Sequence, residues 1–236
     1  MKRLLILMLV VSIIGLVNPE FKLFAAETIS SEQDQLASSQ RIIPVYQLEK
    51  EVVTGMIFVG DSRLNAMQEC CDFTSLGNAW VIAKDKAGLS WLTNKGVQLI
   101  SDIMSENPDI DEWTLVMLLG VNDTYNATKY IKLYQGFDDV QVLCVSVNPV
   151  DVDKCDNYGY NGTLINSGIE SFNSKLLDSE FVYLDTNSLM KVSGFQTTDG
   201  LHYTTETYET LFKLLELELQ EYLAEADIDG SEILMI

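Results

Sequence analysis

Apolar residues along this chain fall into two patterns that alternate. Five short runs, Met56 to Val59, Asn78 to Ala83, Thr114 to Leu119, Val140 to Val147 and Phe181 to Leu184, have the length and β-branched content of strands. The unbroken runs at 114–119 and 140–147 predict strands buried on both faces. Between the runs the apolar spacing changes to three and four. Ser62 to Cys71 follows the first run as a helix, and Leu92 to Glu106 reads as a second that Pro108 closes. Ile165, Ile169, Phe172 and Leu176 line one helix face. Tyr208, Leu211, Phe212, Leu215, Leu219 and Tyr222 form the clearest amphipathic helix, with Thr204 as its N-cap and Glu206 at the positive end of its dipole.

Alternation of this kind predicts an α/β domain with a parallel sheet and helices on both faces. In such a sheet ligands bind beyond the carboxyl ends of the strands. Residues that carry chemistry should therefore follow the apolar runs closely.

The ends of the chain read differently. Lys2 and Arg3 precede an apolar run, Leu4 to Val17, that Asn18-Pro19-Glu20 ends. A basic front and a run too short to span a bilayer comfortably match a secretory signal at 1–26, or an uncleaved N-terminal anchor. Either places the remainder outside the cytoplasm, as a secreted or cell-surface protein. Residues 27–52 are polar and read as a linker, 53–226 as the folded domain, and 227–236 as a frayed tail.

Charge narrows the partners. The formal net charge of −20 excludes nucleic acid, which needs clustered Lys and Arg, and opposes anionic membrane surfaces and polymers. Membrane contact is expected only through the N-terminal segment if it is uncleaved. The four cysteines, 70, 71, 144 and 155, have no zinc-site spacing, and free thiols are expected, with Cys144 as a core residue. Asp151 to Asp156 fails as a calcium loop because Cys155 and Asp156 stand where an oxygen ligand and a glycine belong. It reads as a solvated acidic loop beside the cleft.

Four segments meet the strand-end condition. Gly60-Asp61-Ser62-Arg63 follows the first strand, with Ser62 at a helix start where negative charge is favoured. Gly88 follows the second strand and brings a bare backbone N–H close to a ligand; Asn122, in Gly120-Val121-Asn122-Asp123, offers an amide after the third. Asp199-Gly200-Leu201-His202 follows the last, with the chain's only histidine three residues after an aspartate that orients its ring. These are the parts for acyl transfer. Ser62 is the nucleophile, His202 the general base and acid, and Asp199 fixes the imidazole tautomer. The Ser62 and Gly88 N–H groups with the Asn122 amide form the oxyanion hole. There is no G-x-S-x-G elbow.

In this order the segments resemble the SGNH (GDSL) hydrolase superfamily. Gly60-Asp61-Ser62 matches its GDS block, Gly120 to Asp123 its GxND block and Asp199 to His202 its DxxH block, with Gly88 as the second-block glycine. The resemblance implies a flavodoxin-like three-layer α/β/α sandwich around a five-stranded, mostly parallel sheet, and no cofactor or metal. It implies a serine esterase, with small acyl esters on carbohydrate or cell-envelope glycan as the expected substrate. A lipase, thioesterase or O-acyltransferase with the same triad stays open, as does a non-catalytic glycan-binding domain. Arg63, Trp91 and Tyr203 are candidates for a substrate rim, joined by Tyr125, Tyr158 and Tyr160 in the same loops.

Overall fold

The structure, a computed structural model, describes residues 52–232. Residues 1–51, where a signal or anchor and a linker are expected, and positions 233–236 lie outside the described residues.

Five strands form one sheet: β1 (Thr54–Gly60), β2 (Ala79–Ala83), β3 (Glu112–Leu118), β4 (Gln141–Val145) and β5 (Val182–Leu184). Their order is β2-β1-β3-β4-β5, and every pairing is parallel. Each predicted strand is found, with ends shifted by at most two residues.

Alternation along the strands divides the core in two. Ile57, Val59, Leu115, Met117, Val142 and Cys144 face one layer, while Phe58, Val116, Leu143 and Val145 face the other. The first layer is covered by α2 (Val97–Glu106), α3 (Ala127–Tyr134), α4 (Val152–Asn157) and α5 (Gly162–Leu177). The second is covered by α1 (Ser62–Gln68), α6 (Thr186–Ser193) and α7 (Thr205–Glu232). The result is the three-layer α/β/α sandwich.

The differences from the sequence reading are local. The helix expected from Leu92 is preceded by one helical turn, Leu89–Trp91, and opens with a π-helical segment, Leu92–Gly96. Helix α7 continues through positions 227–232, which the sequence reading assigned to a tail. Asp151 to Asp156 is no loop. Asp151 caps α4 by accepting from Lys154 N–H at 3.1 Å, and Cys155 is wholly buried beneath it. All four cysteines are free, and burial pushes the Cys144 thiol up to about 12.

Candidate active site

Where β1 ends, Gly60 lets the chain turn tightly against α1; a Cβ there would lie 2.5 Å from Leu64 Cβ. Asp61 takes the N-cap, its Oδ1 accepting from Arg63 N–H at 2.9 Å. Because Asp61 caps the helix, the Ser62 hydroxyl is left for other work. Ser62 is the first residue of α1, so its N–H has no partner within the helix.

On the far side, Asp199 Oδ1 accepts from the N–H groups of Leu201 and His202 at 2.9 and 2.7 Å. Its Oδ2 lies 2.8 Å from His202 Nδ1. Partial burial raises the pKa of this carboxyl, but the bonds from the His202 backbone and ring and from Leu201 outweigh it, so the pKa is lowered. An ionised Asp199 holds the proton on Nδ1, which turns Nε2 into the acceptor. Ser62 Oγ lies 2.9 Å from that nitrogen. The sequence-predicted triad is assembled at hydrogen-bond distance.

The loop bearing His202 is clamped from several directions. Asp151 N–H donates to Gly200 O at 3.0 Å, and Lys154 Nζ donates to Thr197 O. Gly200 has φ +92°, and a Cβ there would sit 2.4 Å from Cys155 N, so only glycine fits against α4. Arg63 Nε donates to Leu201 O at 2.9 Å and Nη1 to Asn148 O at 2.7 Å. The segment receiving Arg63 is itself pinned by two asparagines of α5. Asn173 pairs with the N–H and C=O of Val147, and Asn166 with those of Val150.

Of the three rim candidates, only Arg63 lines the cleft, and it also braces the loop. Arg63 is buried, its guanidinium tied to backbone carbonyls and stacked 4.9 Å from the centre of the Tyr203 ring. Tyr203 is 3% exposed, and its hydroxyl donates to Pro149 O at 2.5 Å. Tyr203 is a brace, and Arg63 is a brace that also borders the cleft. Trp91 packs on the core layer under the start of the second helix and is no part of the cleft wall. Of the further aromatics, Tyr160 lines the cleft, whereas Tyr125 and Tyr158 stand exposed outside it.

The cleft itself holds Ser62, Asn122 and His202 together with Ala66, Val121 and Leu201. Asn122 Nδ2 donates one proton to Ala87 O at 2.9 Å, leaving its second N–H for an oxyanion. Gly88 does not line the cleft itself, but the segment around it is held by Asp123, a residue to which the sequence reading gave no role. Asp123 Oδ2 accepts from Leu89 N–H at 2.9 Å and from Asn126 Nδ2 at 3.1 Å, and Oδ1 accepts from Tyr130 O–H at 2.8 Å. A Cβ on Gly88 would lie 2.9 Å from that carboxylate. The signal was its place beside Asn122; what it touches depends on the fold. Lys86 in the same loop has φ +58°, a conformation that side chains rarely adopt and that clusters at functional sites. Among the described residues no group of three or more His, Cys, Asp or Glu is placed to hold a metal ion.

Asp61 is the other buried acid here, pushed up to about 6 by burial, against which Arg63 and His202 pull downwards. It borders a small cavity of about 30 Å³ shared with Arg63, Ser146 and Asn148.

No family model matches the chain, and no curated protein sequence is significantly similar to it. Solved structures do match. The C-terminal catalytic domain of peptidoglycan O-acetyltransferase A from Streptococcus pneumoniae, with a methylsulfonyl adduct, aligns at a TM-score of 0.51 and 19% identity, over 75% of this chain and 96% of that one. A lipase/acylhydrolase from Enterococcus faecalis aligns at 0.50 and 17%, over 70% and 96%. A protein from Slackia heliotrinireducens assigned to the SGNH hydrolases aligns at 0.55 and 16%, over 71% and 99%. The chain therefore has the SGNH hydrolase fold.

Proposed function

We propose that this chain is an extracytoplasmic serine esterase that hydrolyses small acyl esters, acetyl above all, on carbohydrate or cell-envelope glycan. The observation that carries the reading is the unbroken path from Ser62 Oγ through His202 to Asp199, with steps of 2.9 and 2.8 Å. Ser62 Oγ attacks the ester carbonyl as Nε2 takes its proton, and the oxyanion meets the Ser62 N–H and the Asn122 amide. The protonated ring then gives the proton to the departing alcohol. Water, deprotonated by the same nitrogen, releases the acid and restores Ser62.

Three features support the finer terms. The apolar side chains at the cleft are Ala66, Val121 and Leu201 with the ring of Tyr160, too few to bury a long acyl chain. The side chains of His202 and Asp199 are 39% and 33% exposed, so water has access to the acyl-enzyme, as hydrolysis requires. Export is supported by the basic front and apolar run at residues 2–17.

The test is turnover of p-nitrophenyl acetate and of longer acyl esters by the wild type and Ser62→Ala. Acetate turnover that falls at least about 10³-fold in the variant is expected; an inert wild type or an equally active variant refutes the proposal. The structural likeness to an O-acetyltransferase domain supports one second reading, transfer to a sugar hydroxyl. Acetyl appearing on an added sugar faster than as free acetate would establish it.

A further inference from the structure

Tyr160 belongs to two hollows at once. It forms part of the catalytic cleft, about 670 Å³, and part of an adjoining groove of about 830 Å³ along the start of α5. The cleft is half-enclosed, and the groove beside it is shallow and open to solvent.

The groove has a consistent chemistry. Tyr160 is 50% exposed and Leu164 68%, which leaves an aromatic and an aliphatic surface open to solvent next to each other. Around them stand Asp156, Asn161, Thr163 and Ser167. Asp156 Oδ1 and Asn161 Oδ1 each accept a backbone N–H at 2.9 Å, from Gly162 and Leu164, which fixes both side chains. Their remaining amide hydrogens and carboxylate oxygen, with the two hydroxyls, are available to a ligand. An apolar platform ringed by fixed polar groups suits a sugar ring, whose C–H face is apolar and whose edge carries hydroxyls. No lysine or arginine lines the groove, and the chain carries a net charge of −20, so an anionic chain is disfavoured.

We propose that this groove is a subsite for the neighbouring ring of a neutral oligosaccharide: one sugar presents its ester to Ser62 while the next stacks on Tyr160. The proposal rests on the esterase reading and names the class of its substrate.

The experiment compares kcat/KM for p-nitrophenyl acetate, acetylated xylose, acetylated xylobiose and an acetylated oligogalacturonide, in the wild type, Tyr160→Ala and Ser167→Trp. The wild type is expected to prefer acetylated xylobiose over acetylated xylose by about tenfold, through KM. The ratio of xylobiose to p-nitrophenyl acetate turnover should drop about three- to tenfold in each variant, by lost stacking or by a filled groove. Equal turnover of acetylated xylose and xylobiose overturns the subsite, as does an unchanged ratio in both variants or a preference for the anionic oligomer. Each of those outcomes is read in a wild type that turns over p-nitrophenyl acetate, whereas a wild type inert on every ester removes the esterase reading itself.

Discussion

Arg63 Nε donates to Leu201 O at 2.9 Å, which joins the residue after the proposed nucleophile to the residue before the proposed base. The distance from Ser62 to His202 is thus held by a short bridge as well as by the sheet. A lysine lacks the planar fork that serves Leu201, Asn148 and Pro149 together. Arg63→Lys should lower kcat about 100-fold with a smaller change in KM, since misplaced reacting groups cost rate more than binding. Steady-state kinetics on p-nitrophenyl acetate measure the split, and a change confined to KM would make Arg63 a substrate contact rather than a brace.

Asp123 works on the opposite side of the cleft. Asp123→Asn keeps the size but replaces one acceptor oxygen with an NH2 group, which then faces Leu89 N–H and Asn126 or the Tyr130 hydroxyl. A loss in kcat of about tenfold to 100-fold is expected, because the loop carrying Gly88 and Ala87 loosens around Asn122. Asn122→Ala, measured alongside, should lose about 10²–10³-fold. Equal rates for Asp123→Asn and the wild type would show that the Gly88 loop holds its place unaided.

Gly200→Ala tests the contact under the triad loop. The left-handed backbone alone costs about 1–2 kcal/mol for a non-glycine residue. The added methyl also meets Cys155 N, which is backbone and has little freedom to yield. Urea unfolding should show a stability loss of at least that size, with kcat lowered in the fraction that stays folded. Full stability and rate would mean the loop and α4 separate easily.

Asp61 makes stability depend on pH. Its carboxyl is raised from 3.8 to about 6 in the folded protein, with burial the main cause. Between those values the native state holds the proton more tightly than the unfolded chain, so this contribution is fully present below the lower value and is lost as pH rises through the upper one. The shift corresponds to no more than roughly 3 kcal/mol. Asp61→Asn keeps a capping oxygen and carries no charge. Its stability relative to the wild type should therefore rise between about pH 5 and pH 8, as read by unfolding curves at both. A constant difference across that range would place the buried charge elsewhere.

How much of this was legible in the chain depends on the range of each interaction. The strands at 56–59, 114–119 and 140–147 and the helix carrying Tyr208 to Leu219 were readable because periodicity is a local consequence of which face is buried. The short helices at 152–157 and 186–193 were not, since each buries only one or two apolar side chains and is held by an Asp cap. Ser62, Asn122, Asp199 and His202 could be picked out because a parallel sheet makes strand ends the place for chemistry, and their spacing with Gly60, Gly120 and Gly200 matched a known set of blocks.

Only the tertiary structure could decide what Arg63, Tyr203 and Asp123 do. Arg63 and Leu201 are 138 positions apart, and nothing in either neighbourhood foretells that a guanidinium will meet that carbonyl. An arginine after the nucleophile and a tyrosine after the base look alike whether they reach into solvent or fold under a loop, and burial distinguishes them. The chain by itself pointed to the parallel sheet, the helices on both its faces and the proposed triad, because these follow from local pattern and strand ends. The bracing of that triad to a 2.9 Å contact was decided by packing between segments remote in sequence, where geometry is set by every neighbour at once.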